Sequence, residues 1–218
     1  MKPLYMIGCV NEIGKRQKAD NVSGLLGESG FREYMNQLDT PLETGYLLRI
    51  GIDHFKEIND NFGQEYGDFV LKKSAECISG CISEGQKVYK LVADEFLILD
   101  VSSDKAQDAD KLYDKVRETI DRFIETNEFK VIYTVSGGIV PFAALKGNQY
   151  AEALKLTDFA LNEAKKLGRN RCYIFNGETY RKFLRKREIT QELREAVING
   201  FQGFTAFYQP VFAEDKKV

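Results

Sequence analysis

Two strand patterns lie back to back in the middle of the chain. Lys87 to Val92 alternates polar and apolar residues, and Phe96 to Val101 is almost continuously apolar. Separated by a tight turn, they read as a β-hairpin. Its tip carries adjacent carboxylates, Asp94 and Glu95. Acids on a rigid tip suit a divalent cation and, through it, phosphate; two acids alone favour the plainer reading of a solvated turn.

Around the hairpin the apolar period switches repeatedly. Phe31, Tyr34, Met35 and Leu38 recur at helical spacing, and Gly45 to Ile52 reads as a buried strand. Asp53 is expected to N-cap a short helix through Ile58 that ends near Asn59-Asp60-Asn61. Gly63 and Gly67 mark a loop, and Phe69, Val70, Ala75, Ile78 and Ile82 outline a longer helix. A further helix starts at Ser103 or Asp104, with Leu112, Val116, Ile120 and Phe123 along one side. Val131 to Val140 is a strand whose Gly137-Gly138 pair signals a bulge or close backbone approach. Ala151 to Leu167 is a helix stopped by Gly168, and Cys172 to Phe175 a last short strand. Helices alternating with strands around one hairpin predict an α/β (α+β) sandwich with a mixed sheet.

Composition narrows the function classes. With 218 residues and a net charge of −2, nothing global favours a nucleic acid or an anionic membrane surface. No apolar run approaches the ~20 residues of a membrane span. Cys9, Cys77, Cys81 and Cys172 show no metal-ligand spacing, and the one histidine, His54, excludes a His-rich metal site. Cys77 and Cys81 read as buried free thiols, which predicts a reduced, cytoplasmic compartment.

Several motifs carry a resemblance. Val92-Ala93-Asp94-Glu95-Phe96 resembles the Gly-Gly-Asp/Glu-Glu-Phe hairpin of GGDEF domains, the diguanylate cyclase family. Asn21-Val22-Ser23-Gly24-Leu25-Leu26 resembles the family's opening Asp-x-Leu-Thr-Gly-Leu. Gly51-Ile52-Asp53-His54-Phe55-Lys56-Glu57-Ile58-Asn59-Asp60 resembles its Asp-x-Asp-x-Phe-Lys-x-Ile-Asn-Asp. Ala164-Lys165-Lys166-Leu167-Gly168-Arg169-Asn170 is similar to its Ala-Lys-x-x-Gly-Arg-Asn.

The resemblance implies a central sheet of about five strands wrapped by helices. It implies GTP as ligand, with Asn59 and Asp68 reading guanine, and Lys165 and Arg169 holding phosphate from one helix face. Asn59 as a helix C-cap and Asp68 as an N-cap are the local alternatives. It implies Mg²⁺ held by the Ile52 carbonyl and Asp94, with Asp94 and Glu95 as the catalytic pair. An inhibitory Arg-x-x-Asp site would fall on Ser83-Glu84-Gly85-Gln86, where neither residue is present.

The departures matter. Gly51 stands where the family has a metal-binding Asp, and Mg²⁺ is usually held by only one or two carboxylates. Losing ~3 kcal/mol of transition-state stabilisation costs roughly a hundredfold in rate. Val92 and Ala93 replace both signature glycines, and Val92 is expected to strain a left-handed turn.

The ends resemble other modules. Leu4 to Cys9 resembles the last strand of a PAS sensor. Gly177 to Asn199 is a charged helix, and Phe204 to Val211 reads as a strand. From Leu193 to Pro210 the pattern resembles the opening of an EAL phosphodiesterase, without its Glu-Ala-Leu motif. The expected layout is a sensor end and linker over 1–20, a degenerate GGDEF domain over 21–176, and a linker helix with the start of an EAL domain over 177–218.

Three readings follow. The first is an inactive GGDEF domain that binds GTP and regulates an adjoining EAL domain. The second is an active cyclase, working as a homodimer of GTP-loaded domains. The third is a ligand-free dimerisation scaffold.

Overall fold

The computed structural model describes residues 19–38, 41–103, 105–126, 129–146 and 149–209. The expected strand at Leu4 to Cys9 lies outside them. The chain divides after Phe175 into two units.

The first unit is a six-stranded mixed sheet ordered β1-β3-β4-β2-β5-β6. Its middle strand, β2 (Tyr46–Ile52), is buried at every residue. It runs antiparallel to β4 (Glu95–Asp100) on one side and β5 (Val135–Pro141) on the other. The hairpin appears as β3 (Gln86–Lys90) antiparallel to β4, in register Lys90↔Phe96. Two short parallel strands close the edges: β1 (Leu26–Gly27) beside β3, and β6 (Cys172–Ile174) beside β5.

Helices cover both faces, as alternating strand and helix periods require. On one face Tyr46, Leu48, Ile50 and Ile52 pack with α3 (Gln64–Cys81) and α4 (Ala106–Thr126) through Val70, Ile78, Leu112, Val116 and Ile120. On the other lies α5 (Gln149–Lys166), whose main chain comes so near β5 that a Cβ on Gly138 would overlap the Leu161 amide. That close approach is what the Gly137-Gly138 pair predicts. Smaller helices are α1 (Glu28–Asn36) and α2 (Phe55–Phe62).

Four expectations change. Asp53 does not cap α2: the residue before the helix is His54, in left-handed conformation with φ 57°, because the Asp53 carboxylate is committed to the sheet. Gly63 and Gly67 do not bound a loop. Gly63 is a one-residue break between α2 and α3, and Gly67 lies inside α3. The strand expected from Val131 starts at Val135, where pairing with Ile52 begins. The helix expected at Ser103 or Asp104 starts at Ala106.

Cys77, Cys81 and Cys172 are free, and burial pushes the Cys77 thiol up to about 11. No described helix is long and apolar enough to cross a membrane.

The second unit is α6 (Gly177–Ile198), started by the Asn176 side chain, which accepts the Glu178 and Thr179 amides at 3.0 Å each. Residues 204–209 carry no regular structure, so the strand expected from Phe204 is not formed over its described part. A strand needs a pairing partner to satisfy its backbone, and these residues have none among the described residues of the unit.

Candidate functional site

The hairpin tip is set by Lys90 rather than by glycine. Lys90 is 4% exposed. Its ammonium donates to the Leu91 carbonyl at 3.1 Å and to the Ala93 carbonyl. The Leu91 amide donates to the Glu95 carbonyl at 2.9 Å, and the Glu95 amide to Val92 at 3.2 Å. Ala93 takes the left-handed position, φ 50°. The strain expected at Val92 therefore falls on Ala93. Its single methyl makes it the cheaper occupant, and Val92 points into solvent at 62% exposure. Burial lowers the Lys90 ammonium below its usual range, against the pull of Asp20, Asp94 and Glu95.

Neither carboxylate stands free on an open tip. Glu95 is the first residue of β4 and pairs opposite Gly51. Its Oε2 accepts Arg49 Nε at 2.7 Å and also Arg49 Nη2. Arg49 is 6% exposed, donates to the Leu154 carbonyl of α5 at 3.2 Å, and lies 3.6 Å from the Asp158 carboxylate. Asp94 is half-buried, and its carbonyl accepts the Ile52 amide at 3.3 Å, which ties the tip to the end of β2. Burial pushes the Asp94 carboxyl up; Lys165 pulls it down and Glu95 pushes it further up.

Sequence reasoning missed Lys90 and Arg49. Only Arg49 carries a signal, a lone cation inside an apolar strand; Lys90 sits in a strand that already alternates polar and apolar. Arg49 also lies two residues before Gly51, on the same face of the sheet.

Lys165, in the last turn of α5, reaches the same place. Its Nζ is 3.8 Å from Glu95 Oε1. A Cβ on Gly51 would lie 3.1 Å from that Nζ and 3.1 Å from Leu161 Cδ2. An ammonium thus borders the spot from which the expected metal-binding carboxylate would extend.

The donor set does not fit a divalent ion. Gly51 offers no side-chain ligand and Glu95 is held by Arg49, which leaves only Asp94 and the Ile52 carbonyl of the expected set, and among the described residues no group of three or more His, Cys, Asp or Glu stands in their place.

Arg169 does not share a helix face with Lys165. The helix ends at Lys166, and Gly168, Arg169 and Asn170 follow with φ of 119°, 60° and 48°. The left-handed run turns the chain back. Arg169 stays at the helix end through its amide, 3.2 Å from the Ala164 carbonyl, with an exposed side chain. Asp53 holds this turn in place. Its carboxylate, 2% exposed, accepts Thr134 Oγ1 at 2.7 Å, Ser136 Oγ at 2.8 Å and the Asn170 amide at 3.1 Å.

Asn59 and Asp68 form a second group. Neither is a helix cap: Asn59 lies inside α2 and Asp68 inside α3. The Asn59 carboxamide rests on Gly67, next to Asp68, where a Cβ would overlap its Oδ1. That oxygen is buried without a hydrogen-bond partner among the described residues. No hydrogen bond or ion pair found among them joins this pair to the Lys165 group.

A mixed sheet of this order, with paired carboxylates on a β3–β4 turn and a basic helix end beside it, defines a nucleotide-cyclase-like α/β domain. The chain belongs to the GGDEF family: the model described as diguanylate cyclase, GGDEF domain, matches residues 18–171. It is 28% identical over 199 residues to the cyclic di-GMP phosphodiesterase NbdA of Pseudomonas aeruginosa, covering 89% of this chain and 25% of that protein. It is 31% identical over 152 residues to the probable diguanylate cyclase DgcT of Escherichia coli, covering 66% of this chain and 32% of that protein. The chain thus spans a third or less of the length of these two relatives. The crystal structure of the DgcB GGDEF domain from Caulobacter crescentus, in complex with c-di-GMP, superposes with a TM-score of 0.63 at 22% identity, over 75% of this chain and 98% of that one.

Proposed function

We propose that this domain is an inactive member of its family that binds GTP and regulates an adjoining phosphodiesterase domain. One observation carries the loss of catalysis: cations occupy the surroundings of the carboxylates, Arg49 on Glu95 and Lys165 beside Gly51. Phosphoryl transfer depends on metal ions to neutralise developing charge. Asp94 and Glu95, the expected catalytic pair, are here structural anions.

Nucleotide binding has separate support. Lys165 and Arg169 sit at one helix end, where basic groups suit a polyphosphate. The Asn59–Asp68 pair offers acceptors to the N1–H and N2–H donors of guanine, and the Asn59 oxygen lacks a partner. In this reading the setting is the cytoplasm, where GTP is abundant. The inhibitory site for product is lost. The Ser83 amide donates to Gln86 Oε1 at 2.8 Å, and Gln86 Nε2 donates to Asp100, so the Gln86 side chain is spent on the fold.

The regulatory part rests on the C-terminal end. The alignment with NbdA is longer than the match at residues 18–171 and so runs past it. This supports an EAL domain following the helix Gly177–Ile198, and the layout 1–20, 21–176 and 177–218.

The test is incubation with GTP and Mg²⁺ or Mn²⁺, with chromatography of the products and a parallel calorimetric titration of GTP against ATP. Binding selective for GTP, without cyclic di-GMP accumulating above a protein-free control, is the expected result. Steady cyclic di-GMP formation would establish the cyclase instead, and absence of any nucleotide binding the ligand-free scaffold.

A further inference from the structure

We infer that Lys165 is a built-in cation that replaces a divalent ion in this site, so that the domain takes its nucleoside triphosphate free of metal. The inference rests on the nucleotide-binding reading above and deepens it.

Three observations converge. The Lys165 ammonium stands 3.8 Å from Glu95 Oε1 and would lie 3.1 Å from a Cβ on Gly51, so it occupies the side of the carboxylate pair that Gly51 leaves open. Arg49 already binds the other Glu95 oxygen, Oε2, through two of its nitrogens. Arg49, Lys165 and the buried Lys90 therefore balance Asp94, Glu95 and the neighbouring Asp158, which leaves little net negative field to draw a dication out of water. A dication beside them would meet like charge at close range, where the low dielectric of a half-buried site strengthens repulsion.

The ammonium is also unspent. Its side chain is 25% exposed, and among the described residues Nζ makes no hydrogen bond, since the contact with Glu95 lies beyond hydrogen-bonding distance. Three donors remain for phosphate oxygens. A lysine that links a carboxylate pair to a triphosphate does structurally what a metal bridge does. It cannot activate a hydroxyl as a metal does, which agrees with a binder that performs no transfer.

This ordering is opposite to that of a site built for a metal–nucleotide complex, and calorimetry separates the two. GTP is titrated into the protein once with excess EDTA and once with millimolar Mg²⁺. The expected dissociation constant in EDTA is equal to that in Mg²⁺ within about threefold, or tighter. Mn²⁺ alone, followed by electron paramagnetic resonance, shows no bound fraction on the nucleotide-free protein. Lys165→Met weakens metal-free GTP binding by at least tenfold and shifts it toward Mg²⁺ dependence, whereas Lys165→Arg retains metal-free binding. Thermal melts confirm that both variants fold. Binding of GTP that needs Mg²⁺, or Mn²⁺ bound to the protein alone, overturns the inference while the nucleotide reading stands. No GTP binding in either buffer overturns both.

Discussion

Asp53 collects a threonine hydroxyl, a serine hydroxyl and a main-chain amide from two separate segments; the serine bond is buried and the other two are part-buried. The carboxylate thereby fixes β2 to β5 and to the turn that carries Arg169. Removing it strands three donors, each of which costs about 1–3 kcal/mol when unsatisfied. Asp53→Ala should lower unfolding stability by about 3 kcal/mol or more in urea titration, and it should loosen GTP through the displaced turn. Arg49 makes a comparable case. Arg49→Met leaves Glu95 without its main partner in a mostly buried position, and breaking such a pair costs about 3–5 kcal/mol. The same titration checks it, and Arg49→Met/Glu95→Gln should recover much of the loss. On the ligand side, Asn59→Ala or Asp68→Ala should each weaken GTP by about 1–3 kcal/mol and leave ATP unchanged in competition calorimetry.

At the scale of the element, the tip shows how a left-handed turn forms without glycine. Ala93 keeps the left-handed conformation, and the buried Lys90 ammonium holds the turn carbonyls. A left-handed L-residue costs roughly 1–2 kcal/mol, and glycine gives part of that back to its greater freedom when unfolded. Ala93→Gly should therefore stabilise by about 0.5–1 kcal/mol in thermal melts without bringing cyclase activity, because Gly51 is unchanged. The far end of the hairpin is acid-sensitive. Burial alone would raise the Asp100 carboxyl, but donors from Ser102, Tyr46 and Gln86 outweigh it and hold it below the usual carboxylate range. With the folded value below the unfolded one, the stabilisation is full above about pH 4 and is lost as pH falls through the folded value. Asp94, pushed up, runs the other way: it favours the folded state at low pH, and that share is lost as pH rises through its folded value. Asp100→Asn should flatten the acid limb of a stability profile in urea, whereas Asp94→Asn should steepen it.

For the molecule as a whole, the expected regulation needs GTP to bind two arrangements of the chain with different affinity. A coupling of about 1–3 kcal/mol, or roughly five- to 150-fold, is ordinary for such linkage. Cyclic di-GMP hydrolysis by the longer protein, with and without GTP, measures it. The rate should change with GTP, and Arg169→Ala should abolish the change. An unchanged rate with GTP demonstrably bound would make this a passive nucleotide binder.

The elements were largely legible in the sequence because helix and strand periods are local. The hairpin at Lys87 to Val101, the buried run ending at Ile52 and the helix stop at Gly168 all stand where neighbouring residues place them. The identities of Gly51, Val92 and Ala93, on which the proposal of an inactive site rests, were equally plain from the sequence. Partnership was not. That Glu95 belongs to Arg49 depends on β2 pairing with β4, that Asp53 is a knot between strands rather than a helix cap depends on β2 lying beside β5, and that Lys165 stands beside Gly51 depends on α5 packing against the sheet. Those side chains are far apart along the chain. They meet only through strand pairing and, for Lys165, where the close approach at Gly138 sets the height of the helix above the sheet, distances that tertiary packing alone decides.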